Sequence, residues 1–152
     1  MIETNVLGLL EVTRRVLPQM VARKRGHVVV IGSLAGHRSY PGGGVYCASK
    51  RALQPICEAM RLETLGSGVR VTSVDPGLVE TEFSEVRFRG DRERAAKVYA
   101  DTRPLTADDI AECVTWAASR PAHVNIDQIL VMPTDQAGPR DVHRGGRTAA
   151  QS

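Results

Sequence analysis

Tyr46 and Lys50 stand four residues apart in Tyr46-Cys47-Ala48-Ser49-Lys50. That spacing brings two side chains onto one face of a helix. An ammonium one turn from a phenol favours the phenolate and draws its pKa down from about 10. Tyr46 is thereby a candidate to trade protons near neutral pH. The pair alone is a weak signal, because Tyr and Lys also meet at this spacing as ordinary surface neighbours. Other residues sharpen it. Ser33 lies thirteen residues upstream of Tyr46, just past an apolar run; Asn5 stands in Thr4-Asn5-Val6-Leu7-Gly8; Pro76-Gly77 follows the next apolar run. Each has a plainer use: Ser33 as a loop serine ending a strand, Asn5 as a helix-start cap, Pro76-Gly77 as a turn. Arg87 reads either as a contact for a substrate carboxylate or as a solvated loop charge.

The elements that must position these residues alternate. Residues 3–24 read as a helix, with Val6, Leu9, Leu10, Thr13, Val16, Leu17 and Met20 at steps of three and four, and Pro18 as a kink. Arg23-Lys24-Arg25-Gly26 suits its last turn. His27-Val28-Val29-Val30-Ile31 is short, continuous and β-branched, as in a strand covered on both faces. Residues 32–44 form a Gly/Ser/Pro-rich loop. Residues 46–65 read as one helix, with Pro55 inside it at the cost of a backbone hydrogen bond. Residues 69–74 are a second strand, stopped by Asp75-Pro76-Gly77. Residues 78–105 are a long connection with helical signals around Asp91 to Tyr99, the kind that serves as a lid or binding loop. Thr106 caps a helix whose Ile110, Val114 and Ala117 face inward, with Asp108 and Asp109 at its positive end. Residues 126–132 are a third strand. This order builds a parallel sheet with helices on both faces, in which ligands bind beyond the carboxyl ends of the strands. Ser33 and Pro76-Gly77 stand at those ends.

At 152 residues, 42% hydrophobic and 24% charged, the chain suits one soluble globular domain and argues against fibrous or disordered classes. No apolar run approaches the roughly 18 residues that span a bilayer, and no signal peptide is visible. The net charge is +3, and residues 138–152 carry +2 of it, as Arg140, Arg144 and Arg147 against Asp141. The body is therefore nearly neutral, and no basic stripe supports nucleic-acid binding. Cys47 and Cys57 are ten residues apart on one expected helix, roughly 15 Å of rise and too far for a disulfide. The Cys and His spacings make no metal site. The cysteines are expected as small buried residues in a reducing cytoplasm, and Trp116 as core.

Taken together, Asn5-Val6-Leu7-Gly8, a strand followed by Gly32-Ser33, Tyr46-x-x-x-Lys50 and Pro76-Gly77 resemble the short-chain dehydrogenase/reductase family over about residues 1–135. Leu78-Val79-Glu80-Thr81-Glu82-Phe83-Ser84-x-Val86-Arg87-Phe88-x-Gly90-Asp91, Pro104-Leu105-Thr106, residues 121–126, Met132-Pro133 and Val142-His143-Arg144 are similar to one branch, the NADP-dependent serine and 3-hydroxy acid dehydrogenases. The resemblance implies an α/β fold: the C-terminal part of a doubly wound, Rossmann-like parallel sheet, with about three strands and three to four helices. Residues 1–137 would be a partial catalytic domain and 138–152 a basic flexible tail. The implied reaction is hydride transfer between NADP and the 3-hydroxyl or carbonyl of serine, allo-threonine or another 3-hydroxy acid. The implied roles are proton exchange for Tyr46; for Lys50, holding the cofactor ribose and lowering the Tyr46 pKa; for Ser33, binding the substrate oxygen; and for Asn5, anchoring a water that links Lys50 to solvent. Pro76, Gly77, Leu78, Val79 and Thr81, with Tyr46 and Lys50, would contact the cofactor, and residues 82–105 would close over the substrate. For a full-length protein the resemblance also implies a homo-oligomer, a tetramer, in the cytoplasm and without membrane or nucleic-acid partners.

Half of the family's pattern has no counterpart. Neither Thr-Gly-x-x-x-Gly-x-Gly nor Asn-Asn-Ala-Gly occurs in the chain, and Gly42-Gly43-Gly44 does not open a helix after a strand. The N-terminal nucleotide-binding segment is thus expected to be missing, with Met1 an internal methionine or the start of a truncated gene. The residues that select NADP over NAD belong to that segment, so NADP rests on the branch resemblance and NAD stays open. A three-stranded sheet would leave one edge bare. The expectation is a chain of low stability that holds NADP weakly, and the alternative function is an inactive relative serving as an association module.

Overall fold

The structure is a computed structural model and describes residues 1–82 and 90–145. Three parallel strands form its sheet: β1 (Gly26–Ile31), β2 (Val69–Pro76) and β3 (Gln128–Val131), in the order β1-β2-β3. The register runs from Gly26↔Val69 to Ile31↔Val74, and from Ser73↔Gln128 to Pro76↔Val131. The central strand β2 is buried from Val71 to Pro76. Among the described residues β1 pairs on one edge only, as an incomplete sheet requires.

Helix α1 (Gly8–Ala22) continues through Pro18 and is preceded by a wide π-helical turn, Glu3–Leu7, closed by Gly8 N–H donating to the Glu3 carbonyl. Of the seven residues expected on its inner stripe, Thr13 is buried while Leu10 and Val16 lie on the exposed side. The helix expected over 46–65 is two: α2 (Gly44–Arg51) and α3 (Leu53–Glu63). Pro55 has no N–H for the Arg51 carbonyl, and its ring crowds that carbonyl, so α2 ends at Arg51. Leu53, Cys57 and Met60 of α3 meet Val30 and Val71 in the core, with Leu9 and Leu17 of α1 packed alongside.

Successive residues of β2 point to opposite faces. Arg70 therefore reaches the other side of the sheet, where its guanidinium donates to the carbonyls of Ala117, Ala118 and Arg120. Those carbonyls are the negative end of α5 (Ala107–Ala118). Its other end is capped as expected: Asp109 N–H donates to Thr106 Oγ1, and Thr106 N–H to Asp109 Oδ2. Ala117 is fully buried, but Trp116 is 49% exposed, which corrects its assignment to the core. One residue is a turn of about 100°, enough to carry Trp116 off the inward stripe, and Arg120 covers its ring at 5.0 Å. A further helix, α4 (Arg92–Tyr99), lies in the long connection. Phe83, Ser84, Val86, Arg87, Phe88 and Arg147 lie outside the described residues.

Candidate active site

Strands β1 and β2 both end at one cavity of about 910 Å³, and the segment after β3 reaches it from Gln136. Past β1, the chain turns at Gly32, whose N–H donates to the Val74 carbonyl (2.8 Å). No side chain fits at Gly32, since a Cβ there would lie 1.7 Å from Asp75 Oδ1. Ser33 follows and caps a short 3-10 turn, Leu34–Gly36, its Oγ accepting from Ala35 N–H (3.1 Å). That bond leaves the hydroxyl proton of Ser33 to donate.

Tyr46 and Lys50 come from α2, one turn apart, both half-buried and both lining the cavity. Lys50 Nζ donates to the Ile31 carbonyl at the end of β1 (3.0 Å). Burial pushes the Lys50 pKa below its ordinary value, and the negative charge of Asp75 opposes that shift. Asn5 is not a helix cap: it sits inside the π-helical turn, and its Nδ2 donates to Ser49 Oγ (3.1 Å). Ser49 in turn donates to the Tyr46 carbonyl (2.7 Å). The wider turn re-aims Asn5 at α2.

Past β2, Pro76, Gly77, Leu78, Val79 and Thr81 form the opposite wall. Gly77 N–H donates to the Val131 carbonyl (2.7 Å) and Leu78 N–H to Gln136 Oε1 (2.8 Å). Leu105 N–H pairs with the Leu78 carbonyl, and Tyr99 Oη donates to the Val79 carbonyl (3.1 Å). The nine residues to which the family resemblance assigns roles, Asn5, Ser33, Tyr46, Lys50, Pro76, Gly77, Leu78, Val79 and Thr81, line this one cavity, while Arg87 lies outside the described residues.

Three contributors escaped the sequence reading. Asp75 is 2% exposed and its carboxylate accepts from Ser73 Oγ (2.7 Å), His37 Nε2 (2.8 Å) and Gln128 Nε2 (2.7 Å). An acid ending an otherwise buried strand signals such a network, because a buried carboxylate needs several donors. Gln136 and Arg140 come from the segment after β3. Residues 138–145, read from sequence as tail, run over the cavity mouth: Pro139, Arg140, Val142 and Arg144 line it. Arg38 holds the Ala137 carbonyl and Arg140 the Pro41 carbonyl. Long-range packing of this kind leaves no local sequence signal.

Residues 1–92 match the family model described as short chain dehydrogenase. The chain is 48% identical over 144 residues to the NADP-dependent 3-hydroxy acid dehydrogenase of Schizosaccharomyces pombe, covering 95% of this chain and 56% of that protein. It is 50% identical over 146 residues to the NADP-dependent 3-hydroxy acid dehydrogenase YdfG of Salmonella typhi, covering 95% of this chain and 59% of that protein. Among solved structures, the closed form of serine dehydrogenase complexed with NADP+ matches with a TM-score of 0.89 at 45% identity, covering 99% of this chain and 59% of that one. The chain therefore spans somewhat over half the length of the relatives it matches.

Proposed function

Because the chain belongs to the short chain dehydrogenase family, we propose that it carries the catalytic half of an NADP-linked oxidoreductase acting on the 3-hydroxyl or carbonyl of a small hydroxy acid. One observation carries the reading: the residues matching the family's reaction centre, spread from Asn5 to Lys50, converge on one cavity together with the Pro76–Thr81 wall. The named activities of the relatives supply the substrate class, serine and 3-hydroxy acids.

The residues present fit one end of a dinucleotide. Tyr46 and Lys50 offer a phenol and an amine for a ribose, and the Pro76–Val79 backbone with Thr81 offers a wall for a flat ring and its carboxamide. When bound, the nicotinamide supplies the hydride chemistry. The protein's own share is the proton. Tyr46 Oη takes the proton of the substrate hydroxyl in oxidation and returns it in reduction. Lys50, tied to the Ile31 carbonyl, presents a cation that favours the phenolate. Ser33, fixed by its own turn, donates its hydroxyl proton to the substrate oxygen and holds it in place. Asn5, held through Ser49, fixes the π-helical turn against α2 and borders a path from Lys50 to solvent.

The test is NADP+-dependent oxidation of 3-hydroxypropionate and L-serine by the 152-residue chain, followed by the absorbance of reduced nicotinamide. Tyr46→Phe is expected to lower turnover by about 10²-fold or more with the fold intact by circular dichroism. Turnover that survives in Tyr46→Phe removes Tyr46 from the role. A folded parent with no turnover favours the inactive association module.

A further inference from the structure

The charged side chains lining the cavity are all cationic. Lys50, Arg140 and Arg144 line it, and no carboxylate does among the described residues. Two of the three cations are committed elsewhere. Lys50 gives Nζ to the Ile31 carbonyl. Arg144 spends both terminal nitrogens on the carbonyls of Lys97, Val98 and Ala100, where it neutralises the negative end of α4.

Arg140 differs. Its Nη2 donates to the Pro41 carbonyl (2.9 Å), and its guanidinium lies 5.4 Å over the Tyr40 ring. Nε, Nη1 and the second hydrogen of Nη2 remain, so one fork that includes Nη2 stays open to a ligand. The ring in turn packs on Gly43, where a Cβ would come within 2.4 Å of it, and Gly43 directly precedes α2. Arg140 is thus braced against the start of the helix that carries Tyr46. Its own turn is closed by Ala137 N–H donating to the Asp141 carbonyl (2.8 Å). Gln136 links the same segment to Leu78 in the opposite wall. The guanidinium is held by Tyr40 and Pro41 and its backbone segment by the opposite wall, so little side-chain entropy is lost when it takes an anion.

We propose that Arg140 receives the carboxylate of the substrate and so sets the preference of this site for a hydroxy acid over its neutral analogues. A planar carboxylate matches the guanidinium fork through two parallel N–H···O bonds. The proposal rests on the oxidoreductase reading for the identity of the ligand, but its physical content is binding and not proton transfer.

The experiment is an NMR-monitored titration of the 152-residue chain with 3-hydroxypropionate, with its methyl ester and with inorganic pyrophosphate, in the parent and in Arg140→Gln. It needs no coenzyme and no turnover, so a chain that fails the Tyr46 test still answers it. The acid is expected to bind the parent about tenfold more tightly than the ester. Arg140→Gln should erase that preference and leave ester binding unchanged, and Arg140→Lys, which keeps the charge but not the fork, should restore part of it. The proposal is overturned if the parent does not bind the acid, if acid and ester bind alike, or if Arg140→Gln retains the preference. It is equally overturned if pyrophosphate alone depends on Arg140, which would assign the cation to a dinucleotide phosphate.

Discussion

Replacing Asp75 by Asn tests how the two turns of the site are held together. The carboxylate accepts three donors, from Ser73, His37 and Gln128, and lies so close to Gly32 that no Cβ fits between them. Asn keeps the shape and loses the charge. With its oxygen at the Oδ2 position it still accepts from His37 and Gln128, while the Ser73 hydroxyl rotates to accept from the new amide. Three charge-assisted bonds become neutral ones. A bond to a charged group contributes about 1.5–3 kcal/mol and a neutral one about 1 kcal/mol, so the gross loss is about 3 kcal/mol. Relief from burying a charge offsets part of it, which leaves roughly 2 kcal/mol. For a chain of this length that lowers Tm by roughly 4–8 °C. The charge has its own readout. Asp75 opposes the downward push of burial on Lys50, so its removal moves the Lys50 titration to lower pH, as NMR of isotope-labelled lysine side chains would record. An unchanged Tm together with an unmoved Lys50 would refute the reasoning. A lowered Tm with an unmoved Lys50 would reduce Asp75 to a strut and sink its electrostatic role.

Gly77→Ala places a Cβ 2.1 Å from Gln136 Oε1 and 3.0 Å from Met132 Cγ, which breaks the Leu78–Gln136 bond; a loss of about 1–3 kcal/mol should appear in chemical denaturation, with weaker NADP binding by calorimetry. His27 gives a pH dependence. Thr72 Oγ1 donates to the Ile126 carbonyl (2.6 Å), so His27 Nε2 must donate to Thr72, and buried Nδ1 has no acceptor for a second proton among the described residues. Burial, and then the charge of Arg70, hold its pKa below 6.5. The unfolded chain takes up the proton that the folded chain refuses, so stability is whole above about pH 6.5 and erodes as pH falls below it; His27→Gln should flatten this limb of the Tm–pH curve, and an unaltered limb would exclude His27 as its origin.

The strands were readable from short β-branched and aliphatic runs, which suit a pleated backbone; the cover expected on both faces of β1 is not found among the described residues, where Ile31 is 48% exposed. The α5 cap was readable because Thr106 and Asp109 satisfy each other within one turn. The candidate reaction centre was readable as types and spacings: Tyr46 and Lys50 share a helix face by geometry alone, and Ser33 and Pro76-Gly77 follow strands whose parallel pairing sends them to the same edge. The break at Arg51 was half visible, since Pro55 announced a lost bond but not that the helix would end there.

Other features belong to contacts between residues far apart in the chain. A π-helical turn turns Asn5 toward Ser49, 44 positions away. Asp75 could be read as the edge of a turn until His37 and Gln128 arrived from other elements to satisfy it. Gln136 looks like the end of the domain and Arg140 like part of a charged tail, yet their partners are Leu78 and Pro41. Local order follows from backbone sterics and near-neighbour hydrogen bonds, which a linear pattern records. The charge and shape of the cavity follow from which polar groups meet after the strands pair, and no linear pattern records that.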